Sequence, residues 1–157
     1  MVANPYHRFS TFSTEFDDFF ITSIGGDSQT PTQFWGLLLN FQFTPVGGCQ
    51  QEVKHNDEVL FAFDAFNKVQ FLKLNGPNIA NLHTTVVLAV TDGQSGSPVA
   101  GAIVKGETSD ANGHVSVTFS TIGEKKFKAE KSDSIRSNQH TIIVIWLMKR
   151  FLDSFLL

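Results

Sequence analysis

Apolar and polar residues alternate with a period of two along much of the chain, and that period predicts β-strands rather than helices. The clearest stretch begins at Thr84. Thr84–Thr91 places Val86, Leu88 and Val90 on one face. Asp92–Pro98 reads as a loop, and Val99–Lys105 as a short strand rich in small residues. Asp110-Ala111-Asn112-Gly113 is a turn, because Asn and Gly tolerate positive φ. Val115, Val117 and Phe119 then alternate with Ser116, Thr118 and Ser120. Ile122-Gly123 turns the chain, and Lys125–Lys131 directs Phe127 and Ala129 inward. Ser132–Asn138 reads as a polar loop and Thr141–Ile145 as a last strand. Short strands with turn signals every ~8 to 12 residues predict a β-sandwich, here over residues 83–145.

The first half is less regular. Met1–Glu15 is polar, is broken by Pro5, and is expected to be poorly ordered. Phe16–Ile24 reads as a strand that ends at Gly25-Gly26-Asp27. Gln33–Thr44 is the strongest strand signal: apolar on nearly every residue through Leu39, then alternating. Apolar residues on both faces predict a central or covered strand. Pro45-Val46-Gly47-Gly48 is a turn, and Gln50–Lys54 reads as a short strand. Glu58–Phe63 alternates, Asp64–Lys68 is a helical turn or a loop, and Val69–Leu74 is another strand. This gives a small β-rich domain over residues 16–77, a linker over 78–82, the sandwich, and an apolar tail over 146–157. The tail fits a short amphipathic helix with Leu147, Phe151 and Phe155 in one row. It is shorter than the ~20 residues that span a bilayer.

Composition supports two units. The chain has 157 residues, 41% hydrophobic and 17% charged, a globular balance. Of its 16 Phe most lie in the first half, whereas Lys concentrates in the second. The net charge of −3 and the mixed signs argue against nucleic acid as a partner. The cluster Lys125, Lys126, Lys128, Lys131 and Arg136 has only Phe127 among it, and reads as a solvated face. The single cysteine, Cys49, has no internal disulfide partner.

No reactive constellation stands out. The histidines His7, His55, His83, His114 and His140 lack metal-ligand spacing. Asp110–Gly113 resembles the start of a calcium loop, but Thr121 stands where the closing Glu belongs. Asp17 and Asp18 are adjacent in a strand, so they point to opposite faces and read as a charged strand end rather than an acid–base pair. The expectation is therefore no enzyme, no cofactor and no metal. The aromatic set Phe34, Trp35, Phe61, Phe63 and Phe66 reads either as core or as a platform for a flat or sugar-like ligand. Within it, Phe34, Trp35 and Phe66 are the candidate ligand-binding residues, placed in a cleft near the domain junction.

Two segments resemble known families. Thr91-Asp92, Gly96-Ser97-Pro98-Val99-Ala100-Gly101-Ala102, Thr108-Ser109-Asp110-Ala111-Asn112-Gly113, Lys128-Ala129-Glu130 and Ile135-Arg136-Ser137-Asn138 resemble the Ig-like modules of microbial surface and secreted proteins. Trp35, Leu39-Asn40, Gly47-Gly48, Val53, Asn56-Asp57, Val59 and Phe61 are similar to the transcobalamin-like C-terminal domain, domain of unknown function 4430. The usual Asn-Gly after the Trp strand is Asn40-Phe41 here, and the usual Gly-Asp turn is Asn56-Asp57. In the vitamin carriers this domain caps cobalamin together with a helical domain.

The combination resembles secreted proteins of filamentous fungi. Those are usually longer at the N-terminus, with a signal peptide and further cysteines. The resemblance thus implies an extracellular protein, N-terminally truncated as given, whose Cys49 has lost its partner and whose tail is foreign. It makes the chain a non-enzymatic secreted or cell-surface interaction module, with an extracellular protein or glycan as partner. The alternative is a binder of a small cobalamin-like or hydrophobic ligand.

Overall fold

A computed structural model of the protein describes residues 8–146. The tail beyond Trp146, with its expected amphipathic helix, lies outside them. The described chain is mainly β. Its first strands are β1 (Arg8–Ser13), β2 (Asp18–Ile24), β3 (Asp27–Ser28), β4 (Trp35–Leu39), β5 (Gln42–Phe43) and β6 (Val59–Phe63). A 3₁₀ turn at Ala65–Asn67 precedes β7 (Gln70–Asn75), β8 (Ile79–Asn81), β9 (Thr85–Asp92), β10 (Ile103–Val104) and β11 (Glu107–Thr108). The last are β12 (His114–Thr118), β13 (Gly123–Phe127), β14 (Ser134–Ile135) and β15 (His140–Ile145). Two compact units form. The first is Met1–Phe71 with Gly93–Ser95 and Ser132–Ile135; the second is Leu72–Asp92, Gly96–Lys131 and Arg136–Leu157.

The first unit holds two antiparallel three-stranded sheets, ordered β1-β2-β3 and β5-β4-β6. The expectation of disorder through Glu15 is corrected by β1, which pairs with β2 from Arg8↔Ile24 to Ser13↔Asp18. The expected single strand Gln33–Thr44 is a hairpin. Asn40 and Phe41 have φ of 51° and 66°, and Leu39 pairs with Gln42 around them. Positive φ at both central residues is the two-residue turn that matches strand twist. Gly normally takes the second place; here Phe41 holds it because its ring is buried with Leu38, Ala62, Ala65 and Phe71. Asn40 Nδ2 donates to Asp57 Oδ1 at 2.8 Å and its Oδ1 accepts from the Glu58 amide at 2.9 Å, which holds the turn down. Gln50–Lys54, expected as a strand, is irregular.

The second unit packs β12-β9-β7 and β13-β15-β8 around one core. Leu88, Val90, Val115, Val117, Phe119 and Ala129 are all buried, as their alternation predicts, and Val86 and Phe127 pack against them. Residues 78–82 are not a linker: Ile79–Asn81 is β8, in parallel register with Ile143–Ile145 of β15. The expected strand Val99–Lys105 is mostly irregular, with Val99, Ala102 and Val104 buried. Only Ile103–Val104 is strand, and Ser109 serves Val99 and Ala102 instead. Its buried hydroxyl donates to the Val99 carbonyl at 2.7 Å and accepts from the Ala102 amide at 2.9 Å. Asn138 acts similarly: Oδ1 accepts from the Leu74 amide at 2.9 Å, and Nδ2 donates to its carbonyl at 3.1 Å.

Removing the Ser109 hydroxyl leaves two buried main-chain groups unpaired. We expect Ser109→Ala to cost about 1–3 kcal/mol in urea unfolding, without loss of β-sheet circular dichroism. Asp110 supplies a second prediction. The amide of His114 lowers its carboxyl below the ordinary 3.8, burial opposes, and the Asn112 amide assists. A carboxyl lowered on folding adds stability that is complete above its unfolded value and is lost as the pH falls through the folded one. Asp110→Asn should therefore melt lower than the parent above the ordinary 3.8, and the gap should shrink as the pH falls below that value.

Candidate functional site

The first unit contains an apolar cleft of ≈ 1070 Å³. Both of its sheets contribute: Phe19 and Ile21 from β2, Trp35 and Leu37 from β4, Phe43 from β5 and Phe61 from β6. Phe34 and Phe66 complete one side, and the 45–50 loop the other. The three candidate residues, Phe34, Trp35 and Phe66, thus line one cleft. Every lining residue belongs to the first unit. The cleft is therefore built within that unit.

Trp35 begins β4 opposite Phe63, and the two rings lie 5.3 Å apart. Its Nε1–H donates to the Asp27 carbonyl at 3.2 Å, so the indole is held by the β2–β3 region as well as by its own sheet. Phe66 sits on the 3₁₀ turn and is 63% exposed. Its ring stacks on Phe43 with centroids 4.9 Å apart and planes at 13°. Gly36 makes this possible: a Cβ there would lie 2.7 Å from Ala65 Cβ and 3.0 Å from Phe43 Cε1.

Asp64 ties the turn down. Its amide donates to the Phe34 carbonyl at 2.8 Å, and its Oδ1 accepts from Asn67 Nδ2 at 2.6 Å. Lys68 adds an ion pair at 3.4 Å. The Asn67 amide lowers the Asp64 pKa most, with Gln33 and Lys68 assisting against the effect of burial.

The opposite wall depends on Asp18. It stands at the start of β2, as expected of a strand end, but it is 1% exposed rather than solvated. Its Oδ1 accepts from the amides of Phe19 at 2.6 Å and Cys49 at 3.2 Å. Burial pushes its pKa up, but the amides of Phe19, Cys49 and Gln50, with the Cys49 thiol, pull it below the usual carboxylate value. Asp18 Oδ2 makes no contact of full hydrogen-bond geometry and lies against Gly47, where a Cβ would approach it to 2.3 Å. Gln50 Nε2 donates to the carbonyls of Phe16 and Asp17, both at 3.1 Å, and fastens the same loop to the β1–β2 turn.

Sequence reading missed Phe16, Phe19, Phe20, Phe43 and Val46 in this wall. Their signal was the concentration of Phe over residues 16–43. Phe63 belongs to the aromatic set but supports Trp35 rather than lining the cleft. Cys49 is exposed and lines the cleft with a free thiol. Among the described residues, no three His, Cys, Asp or Glu side chains gather as a metal site would require. No described helix is long and apolar enough to cross a membrane.

The family described as Domain of unknown function (DUF4430) matches residues 3–65. That span holds every lining residue except Phe66. No curated protein and no solved structure matches the chain.

If Gly47 is needed for the loop to close over Asp18, Gly47→Ala should destabilise the protein by about 1–3 kcal/mol. Hydrogen exchange is the check. The amides of Cys49, Gln50 and Gln51 should lose protection, while those of the second unit, such as Val117 and Val144, keep theirs.

Proposed function

We propose that this protein is a non-enzymatic binding protein whose first unit holds a small hydrophobic ligand in the aromatic cleft. One observation carries the reading: rings from two sheets and a 3₁₀ turn converge around an open space of ≈ 1070 Å³. Ligand sites are concave, mostly apolar, and about 300–1,000 Å³ in volume. Phe34, Phe43 and Phe66 remain exposed around this one. A contiguous apolar surface left open in a folded unit marks a place that something else covers.

Phe34, Trp35 and Phe66 are the residues we assign to ligand contact. The second unit serves as an Ig-like β-sandwich carrier in this reading, and the chain acts outside the cell, a reading that draws on its resemblance to secreted fungal proteins. The exposed rings of Phe12, Phe16, Phe19 and Phe20 on the β1–β2 hairpin favour a second reading, in which a protein partner covers that hairpin.

Titration with N-phenyl-1-naphthylamine, a neutral dye that brightens in apolar surroundings, tests the first reading. We expect saturable binding by the full chain, weakened about tenfold by Phe66→Ala or Trp35→Ala, as loss of a stacked ring implies. Phe12→Ala should leave dye affinity unchanged, since Phe12 is not in the cleft wall. Equal affinity for parent and both cleft variants, with folding retained, would overturn the assignment.

A further inference from the structure

The polar groups of the cleft wall narrow the ligand chemistry. None of the residues that line it is Lys, Arg, His, Asp or Glu. An ion entering would lose hydration and find no opposite charge on the wall. Several polar side chains in the wall are already engaged by the chain itself. Trp35 Nε1–H is donated to the Asp27 carbonyl. The Thr44 hydroxyl donates to the Val46 carbonyl at 2.8 Å. The Gln50 amide donates to the carbonyls of Phe16 and Asp17. The Ser10 hydroxyl and the Gln29 amide are the further polar side chains of the wall, too few to match a molecule rich in hydroxyls or amides, such as a sugar or a peptide.

What the wall does offer is ring faces. Phe43 and Phe66 lie nearly parallel, and Phe66 remains more than half exposed although one side is stacked. Trp35, tilted against Phe63, adds the largest π surface. Flat rings placed on such faces gain stacking beyond the area they bury, whereas a flexible alkyl chain loses conformational freedom on being held.

We propose that the cleft selects an uncharged, flat, ring-built molecule with few hydrogen-bonding groups. This rests on the hydrophobic-ligand reading above and narrows it to a chemical class. Two comparisons test it on the full chain. N-phenyl-1-naphthylamine and 8-anilino-1-naphthalenesulfonate share one ring system and differ by a sulfonate. We expect the neutral dye to bind at least about tenfold more tightly, with Phe66→Ala reducing that binding. In displacement of the neutral dye, 9-fluorenol and 1-decanol each carry one hydroxyl, and we expect the flat alcohol to compete at a several-fold lower concentration although the linear one is more lipophilic.

Equal or tighter binding of the sulfonate through the same Phe66-dependent site would overturn the charge rule. Stronger competition by 1-decanol would overturn the preference for flat rings. In either case Phe66-dependent binding of the neutral dye would leave the hydrophobic-ligand reading standing. Failure of the neutral dye to bind in a Phe66-dependent way would remove both.

Discussion

A buried carboxylate without a cation beside it has to draw its hydrogen bonds from the main chain, and Asp18 places that demand on the first unit. The amides that answer it are those of Phe19, in its own strand, and Cys49, in the loop after β5. The loop is therefore bound to β2 by an electrostatic need rather than by apolar packing. That difference matters for the cleft. Apolar packing would close the two sheets onto each other, whereas a polar tether fixes where the wall stands and leaves the rings open. Gln50 reinforces the tether, and Asp64 does the same for the turn that carries Phe66.

The two units use polar side chains differently. In the second, Ser109 and Asn138 complete main-chain pairing in a core that is otherwise dry and filled by Val, Leu, Ile and Ala. In the first, among the described residues, the buried cluster is Leu38, Phe41, Ala62, Ala65 and Phe71. Much of its aromatic surface remains outside that core. A unit with so few buried apolar side chains depends on its hydrogen-bonded loops for shape, and ligand burial in the cleft would add apolar contact that the unit alone lacks.

The second unit was largely legible in the sequence because each strand there has one wet face, so alternation alone sorts Leu88, Val90, Val115 and Val117 inward. The first was legible only in part. The β4–β5 hairpin was hidden because its turn carries Phe41 where Gly is expected, and a run of apolar residues concealed the reversal. β1 was hidden because Phe9-Ser10-Thr11-Phe12-Ser13 has too few apolar residues to stand out beside Pro5. Phe34, Trp35 and Phe66 were visible as large aromatics at element ends. Phe16, Phe19 and Phe43 were not, because period-two patterning assigns a face and does not say whether that face meets a core or an opening. The tie between Asp18 and Cys49 spans 31 positions and has no local signature.

Asn138 fills one rung beside β7 with its side-chain amide. Both hydrogen-bonding groups of Leu74 on that side of β7 are taken by one side chain. A neighbouring molecule seeking to lengthen the sheet by adding its own strand finds this rung already filled. One asparagine thereby closes, at Leu74, the edge of β7 that β14 covers at Gln70 and Phe71.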